Sequence, residues 1–240
     1  MQNRYTGDIG DFGKLGMLRV LQEAGFSIGV NWYLTPDEDH NQDGKYTDYE
    51  ALKMCDETLW LELKQITDSK QRFVSALQKD SILKAAFYAE PLDFRGRKKA
   101  ERQTIRLNWH QDALKALCGT NLVFADPDNG LIVPSAEEKP KENKYVLPKE
   151  LAEYYKQGSS VIYYQHQARR QDPYYEDQHQ KLLSRPEFSG ASGLGLKFRR
   201  TSHRYYFMIL HPEHREKVTK AVREMLDSEW SECFSKMPTE

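Results

Sequence analysis

An apolar run that ends abruptly in two acids constrains the fold of this chain more than any other feature. Residues 121–130 read NLVFADPDNG. So short an apolar run predicts a strand buried on both faces, as in a parallel sheet. Ligands of open α/β sheets bind outside the carboxyl ends of the strands, which is where Asp126 stands. A turn whose Asp and Asn bond only their own backbone is the alternative, and the crowding of Asp126, Asp128 and Asn129 favours the functional interpretation.

Helical and strand patterns alternate along the rest of the chain, which predicts βαβ units and a mostly parallel sheet flanked by helices. Strands are predicted at Ser27–Leu34, Ala86–Tyr88, Thr104–Asn108, Leu122–Ala125, Ser160–Tyr164 and Tyr205–Leu210. Helices are predicted from Phe12 to about Ala24, then at Tyr49–Ile66, Lys70–Gln78, Asp112–Leu117, Lys149–Lys156 and Val218–Leu226. This pattern places Val30, Val123, Ile162 and Phe207 on neighbouring central strands.

We expect a single α/β domain over residues 1–240, because neither repeats nor a change of composition mark a boundary. Two segments break the alternation. A charged Glu/Lys/Pro stretch near 134–146 predicts an exposed insertion beside the site. A polar segment near 166–200 mixes Arg, Gln, His and Tyr with a Gly/Ser turn, which predicts a helix and a mobile loop.

Composition excludes several classes of protein. The 35 basic and 36 acidic side chains balance, so a nucleic-acid partner would have to be bound by a local patch. The 12% of aromatic residues and 39% of hydrophobic residues exclude a disordered chain. Three widely spaced cysteines suggest neither a disulfide framework nor a Cys-rich zinc site. No signal peptide or membrane-length apolar run is present, which predicts a cytoplasmic protein with no membrane partner.

The start of the chain carries an unusual helix beginning. Gly10, Gly13 and Gly16 lie three residues apart, which lets another backbone or a ligand approach closely, and Asp8 or Asp11 can cap the helix. Capping and tight packing explain the glycines and one acid. They leave the second acid and Lys14 unexplained, so packing and a ligand site stay equal alternatives.

Acids also crowd the end of the first predicted strand. Asp37, Glu38, Asp39, His40 and Asp43 offer the hard oxygen ligands that suit Mg²⁺ or Mn²⁺. Asp-x-Asp and Asp-Gly pairs in polar loops are more often only solvated by water. The ligand spacing of a calcium EF-hand loop is absent.

A third polar group follows the strand at 160–164. If this strand neighbours the Asp126 strand, His166 and Arg169 project toward Asp126 and Asp128. A histidine beside two carboxylates could act as a general base or a metal ligand. Interleaved Tyr, Gln and Arg are also typical of a groove that stacks bases and binds phosphates, and a polar surface turn is the remaining alternative.

These anchors, in this order, resemble the bacterial methyltransferases that modify adenine N6 in large-subunit ribosomal RNA. That family opens with a Gly-Asn-x-Ala-Asp-Val-x-Lys helix start, to which residues 7–14, GDIGDFGK, are similar. Its Asp-Pro-Pro-Tyr motif ends a buried strand, as residues 126–129 do. A later family strand followed by an Arg resembles 158–165 with Arg169, and a terminal strand ending in Asn-Pro-Pro resembles 209–212.

The resemblance implies a Rossmann-like, methyltransferase-like fold and S-adenosylmethionine as the cofactor. It implies Lys14, Asp11, Asp37 and Glu90 as cofactor-binding residues, with Glu90, before a predicted helix 95–102, on the ribose. The catalytic group that it implies, with His166 added from the analysis above, is Asp126, Asp128, Asn129 and His166.

The departures from the family bear on function. The family's first strand ends in a glycine-rich turn that admits the cofactor, whereas residues 33–39, YLTPDED, hold no glycine. Asp128 replaces the second Pro and Asn129 the aromatic residue that stacks on the base, and Leu15 stands in place of a family histidine. Any cofactor binding should therefore be weaker than in a working family member.

Three functions compete. The first is a divergent S-adenosylmethionine-dependent methyltransferase acting on nucleic acid or another acceptor. The second is a metal-dependent nuclease or phosphodiesterase, with Asp126 and Asp128 holding Mg²⁺ or Mn²⁺ and His166 nearby. The third is a non-catalytic partner protein with a relic pocket. The resemblance favours the first function, and the chemistry of the replaced residues favours the second. We place the methyltransferase first by a narrow margin only, because a fold does not by itself fix a function.

Overall fold

The computed structural model describes residues 1–38 and 44–238, and its strands and helices alternate as the sequence predicts. The strands are β1 (Ile28–Asn31), β2 (Ala85–Tyr88), β3 (Leu122–Ala125), β4 (Gly130–Leu131), β5 (Tyr145–Val146), β6 (Ser160–His166), β7 (Ser192–Phe198), β8 (Arg204–Leu210) and β9 (Phe234–Lys236). The helices are α1 (Ile9–Glu23), α2 (Glu57–Asp68), α3 (Lys99–Ala116), α4 (Pro148–Lys156), α5 (Asp172–Leu183) and α6 (Pro212–Leu226).

The central sheet has the strand order β2-β1-β3-β6-β8-β7-β9, and β4 pairs with β5 in a small separate sheet. Strands β2, β1, β3 and β6 are parallel, whereas β8 runs antiparallel to both β6 and β7. Strand β9 is antiparallel to β7, so five of the seven strands point the same way. The fold is a Rossmann-like α/β fold. Its four middle strands carry Val30, Val123, Ile162 and Phe207, which confirms the predicted neighbours.

Helices cover both faces of the sheet. Apolar residues of α1, α2 and α6 pack on one face, and those of α3, α4 and α5 pack on the other. Strand β3 is buried at all four residues, and β8 at all seven, because both strands lie between two other strands and two helical layers. Within the described ranges, no helix is long and apolar enough to span a bilayer.

The prediction of a strand at Thr104–Asn108 is wrong. These residues lie in the middle of α3, which begins at Lys99 and also contains residues 99–102 and 112–116 of the two helices predicted on either side. The alternating pattern misleads because polar Arg106 is buried in an ion pair with Glu150, whereas apolar Leu107 is exposed.

Other boundaries shift for local reasons. The predicted helix 49–66 divides into a 3₁₀ helix, Glu50–Cys55, and α2, because the Asp56 side chain caps α2 by accepting from Leu59 N. The predicted helix 70–78 is only a 3₁₀ turn, Val74–Leu77.

The polar segment 166–200 contains more regular structure than predicted. It holds α5 and the whole of β7, whose apolar pattern is interrupted by glycines at 193 and 195. The charged stretch near 134–146 includes the 3₁₀ helix Pro140–Lys144 and the strand β5, and its Asn143 side chain is buried where it donates to Leu92 O.

The glycine stripe of α1 is a surface of close packing. The Arg204, Phe198 and Trp230 side chains occupy the space beside Gly10, Gly13 and Gly16 respectively. A Cβ atom at Gly16 would overlap the Trp230 ring, which also packs against Phe12. Side chains of other segments, rather than a neighbouring backbone, therefore pack against the glycine stripe.

We expect Gly16→Val to lower the free energy of unfolding by about 1–3 kcal/mol, because the valine methyls have no space beside the Trp230 ring. Urea denaturation would measure the loss. Glu23→Val introduces the same side chain at an exposed position of α1, and we expect it to change stability by less than about 0.5 kcal/mol. Equal losses in both variants would contradict the packing argument.

Candidate functional site

A cavity of about 410 Å³ opens where the carboxyl ends of β3 and β6 meet the start of α1. We call it the base pocket, and its volume lies in the range of small-molecule sites. It is lined by Asp8, Asp11 and Lys14 of the first helical turns, Asp126, Asp128 and Asn129 after β3, Tyr164 and His166 of β6, and Tyr5, Glu38, Tyr46, Lys144 and Arg204 from other segments.

The floor of the base pocket is a buried cluster of charges. Lys14 Nζ donates to Asp126 Oδ2 at 2.6 Å and lies 3.0 Å from Asp11 Oδ1. Local folding fixes Asp11, because its other oxygen accepts from Gly7 N while Asp8 caps α1 by accepting from Gly10 N and Asp11 N. The pair joins the start of α1 to the end of β3, across 112 positions of sequence.

Burial and pairing act against each other in this cluster. Burial favours uncharged Lys14, but the Asp126 and Asp11 carboxylates outweigh it and raise the pKa of Lys14 well above its ordinary value. Burial raises the pKa of both carboxyls, and the Lys14 ammonium opposes this rise. The cluster therefore holds an ammonium ion beside two carboxyl groups, whose ionisation is opposed by burial and favoured by that ammonium.

Asp128 follows the same strand but faces another environment. The amino group of Met1 lies 2.6 Å from Asp128 Oδ1, and Oδ2 accepts from Gln2 Nε2 and Thr35 Oγ1. Burial opposes ionisation of Asp128, but the Met1 amino group and Gln2 together lower its pKa below the ordinary value. Both of its oxygens are thus engaged within the protein.

Asn129 and His166 meet across the β3 and β6 ends. Asn129 N donates to Lys144 O, and its carbonyl accepts from His166 N at 3.2 Å. The His166 Nδ1 atom and the Tyr164 hydroxyl form a 3.1 Å hydrogen bond, which orients the ring along the pocket wall. The strands β3 and β6 are neighbours, as the sequence predicts, and His166 and Asp126 line the same cavity.

Two predicted cofactor residues lie elsewhere. Asp37 accepts from Arg4 N at 3.3 Å, outside the lining of the base pocket. Glu90 follows β2, on the far side of β1, and is exposed; its carbonyl accepts from Trp109 Nε1. Arg169 lines a separate concavity. Asp39, His40 and Asp43 lie outside the described residues, although Glu38 reaches the pocket, where it pairs with Lys144.

The crevice between β1 and β3, where the strand order reverses, is filled by the protein itself. The Met1 amino group donates to Tyr33 O and Asp126 O, at 3.2 and 3.1 Å. Thr35 N donates to Met1 O, and the Gln2 side chain is fully buried between Asp128 and Glu38 N. Dinucleotide ligands of related sheets occupy this kind of crevice.

Sequence reasoning missed three residues of the site. Tyr46 stands alone in a polar loop, and no pattern marks it. Lys144 belongs to the charged stretch near 134–146, which the sequence predicts as an exposed insertion beside the site without marking this lysine. Arg204 begins β8 opposite His166. Only the antiparallel pairing of β6 with β8 brings it to the pocket.

We expect Lys14→Met to cost about 3–5 kcal/mol at pH 7, because it leaves two buried carboxylates without their cation. The raised carboxyl pKa values mean that the folded variant binds protons before the unfolded chain does. Its deficit relative to the wild type should therefore shrink as the pH falls from 7 toward about 4.

Denaturant unfolding at several pH values would measure this difference. Lys115→Met, which removes an exposed lysine paired with Asp112, is the matched control and should leave stability unchanged at every pH. A deficit in Lys14→Met that stays constant with pH would contradict the argument.

Comparisons with known proteins add little. No family model matches the sequence, and no curated protein matches it. A crystal structure of protein LPL1258 from Legionella pneumophila, with the family model DUF519, is similar at 12% identity over 96% of each chain, with a TM-score of 0.46. At so low a TM-score the similarity does not define the fold. The fold is assigned from the order and direction of the strands.

Proposed function

We propose that this protein is a methyltransferase-like nucleic-acid-binding protein that takes an unstacked, amino-bearing base into the base pocket. The observation that carries the proposal is the convergence of Asp126, Asn129 and Tyr46 in one cavity at the carboxyl end of β3. A carboxylate and an amide oxygen accept hydrogen bonds from an exocyclic amine, and an aromatic ring stacks on a base.

Tyr46 supplies the stacking face that the sequence lacks after β3. In the family that the chain resembles, the aromatic residue follows Asp-Pro-Pro, where this chain has Asn129. The Tyr46 side chain is 56% exposed and lines the pocket, so its ring is accessible to a ligand. The two elements of base recognition, acceptor and ring, are thus present, although they come from different segments.

The charge cluster supports a functional pocket over a relic pocket. Buried ion pairs are weak sources of stability, because desolvation consumes most of their attraction. Carboxyl groups with perturbed pKa values in a cavity are typical of functional sites. The Lys14 ammonium favours the ionised form of Asp126, which is the stronger acceptor of the two forms.

S-Adenosylmethionine does not fit the residues at the position that the resemblance implies. Its ribose needs an acid, but Glu90 lies outside the base pocket, on the far side of β1. Its methionine part needs the crevice that Met1 and Gln2 fill. The residues at this position therefore support no methyl-transfer step.

Methyl transfer is kept as a second candidate, because Asp126 and Asn129 stand at the strand end where that family binds its target base. The nuclease alternative has less support. Both oxygens of Asp128 are engaged, and Lys14 already pairs with Asp126. In the described part of the chain, no group of three or more His, Cys, Asp or Glu residues is arranged to hold a metal ion.

We expect AMP, CMP and GMP to bind more tightly than UMP, because uracil has no exocyclic amine for Asp126 and Asn129. Tyr46→Ala should weaken the binding of AMP about tenfold, since the stacking of one base on an aromatic ring contributes roughly 1–3 kcal/mol. Titration calorimetry would measure both effects. Phe73→Ala removes an equally exposed aromatic residue outside the pocket and should leave affinity unchanged. Absence of binding by all four nucleotides at millimolar concentration would overturn the proposal.

Calorimetry with S-adenosylmethionine separates the two candidates. If the crevice stays filled by Met1 and Gln2, the wild-type protein gives no heat of binding at millimolar cofactor. Binding that Glu90→Ala abolishes would instead favour methyl transfer. Glu90 is the informative position because it is exposed, so its replacement leaves the core intact, whereas Lys14→Ala would also break the buried charge cluster.

A further inference from the structure

A second concavity lies across the edge of the sheet from the base pocket. It has a volume of about 520 Å³ and is formed by the turn after β6, the first turn of α5, Lys197 of β7 and His203, which precedes β8. We call it the basic surface and define it by Gln167, Arg169, Arg170, Lys197 and His203.

The basic surface and the base pocket adjoin through consecutive residues. His166 and Arg204 are partners in the β6–β8 ladder, and both line the base pocket. The next pair, Gln167 and His203, is joined by a 3.2 Å bond from Gln167 N to His203 O and lines the basic surface. Successive side chains of a strand point to opposite faces. The two concavities therefore lie on opposite faces of the sheet at the carboxyl end of β6, where consecutive residues line them.

Cations outnumber acids on the basic surface. Arg169, Arg170 and Lys197 line it together with a single acid, Asp172. Asp172 is already bound, since it accepts from Lys197 Nζ at 2.6 Å and from the Tyr205 hydroxyl at 2.7 Å. The two arginines thus remain as excess positive charge. Arginine side chains bind phosphate groups through paired N–H donors.

An aromatic ring lies beside one of these arginines. The Arg170 guanidinium lies over the ring of Tyr174, 5.4 Å from its centroid. Arg169 is exposed and makes no ion pair with any described residue. Arginine planes and aromatic rings are surfaces on which unpaired bases stack, and adjacent cations hold the phosphates between them.

We propose that the basic surface binds the phosphodiester chain of a single-stranded nucleic acid whose neighbouring base enters the base pocket. This inference rests on the proposed function, because it gives the base in the pocket its polymeric context. A single strand is favoured over a duplex, since a base in a duplex would first have to leave its stack and its partner to enter the pocket. The strand would pass over the edge of the sheet between His166 and Gln167.

The test is fluorescence anisotropy of the full chain with a labelled 12-nucleotide single-stranded RNA of mixed sequence, over a series of salt concentrations. The double variant Arg169→Ala/Arg170→Ala should bind at least about tenfold more weakly at low salt. The slope of log affinity against log salt should become shallower by about 1.4, that is, about 0.7 for each lost phosphate contact.

Arg215→Ala/Arg223→Ala is the matched control. It removes two exposed arginines from α6, which begins at the opposite edge of the sheet, where His211 N donates to Ser160 Oγ at the start of β6. We expect unchanged affinity and slope. Equal losses in the two double variants, or no binding by the wild type, would overturn the proposal.

The two proposals fail in different ways. If AMP binds and responds to Tyr46→Ala, but RNA affinity is indifferent to Arg169 and Arg170, the base pocket stands and the basic surface fails. If RNA binding depends on the two arginines while no mononucleotide binds, the surface stands and the base pocket fails. A double-stranded RNA of the same sequence that binds as tightly as the single strand would also refute the single-strand assignment.

Discussion

The Lys14 ammonium, buried between Asp11 and Asp126, is the constraint on which the arrangement of the site depends. It joins the first helix to the central strand β3, two elements that no hydrophobic pattern would place in contact at this point. The glycine stripe of α1 lets the helix lie close against Phe198 and Trp230, and this packing sets the depth at which Lys14 reaches the end of β3. Packing brings the ion pair together, and the ion pair fixes the floor of the pocket.

Much of this arrangement follows from the sequence, since strong apolar runs specify buried strands. Residues 122–125 and 205–210 have that character, and both are central strands. The β3–β6 neighbourhood then brings His166 and Asp126 into the lining of one cavity. Where a polar side chain is buried in place of an apolar one, the hydrophobic pattern predicts the wrong secondary structure. The buried Arg106 guanidinium, held by Glu150, made part of α3 resemble a strand, and its partner lies 44 residues away.

The parts of the site that the sequence could not give depend on long-range pairing. Arg204 reaches the pocket only because β8 runs antiparallel beside β6, and Tyr46 only because its loop folds back over the start of α1, where Ile9 N donates to Tyr46 O. Glu90 and Asp37 show the opposite error, because the sequence predicts them in the site and the structure places them outside the pocket. Their positions after strands match a family pattern, but β1 separates Glu90 from the pocket, and the backbone of Arg4 engages Asp37.

Asp126 and Asp128 show how two residues of identical chemistry acquire different roles within one turn. Burial raises the pKa of Asp126 despite Lys14, whereas the Met1 amino group and Gln2 lower the pKa of Asp128 despite its burial. Environments that move the pKa values of two carboxyl groups in opposite directions give the two groups separate roles. Asp128 is a structural anion that holds the first residues of the chain in the β1–β3 crevice. Asp126 lines the cavity and pairs with Lys14, so it is the acid through which we propose that a ligand in the base pocket is recognised.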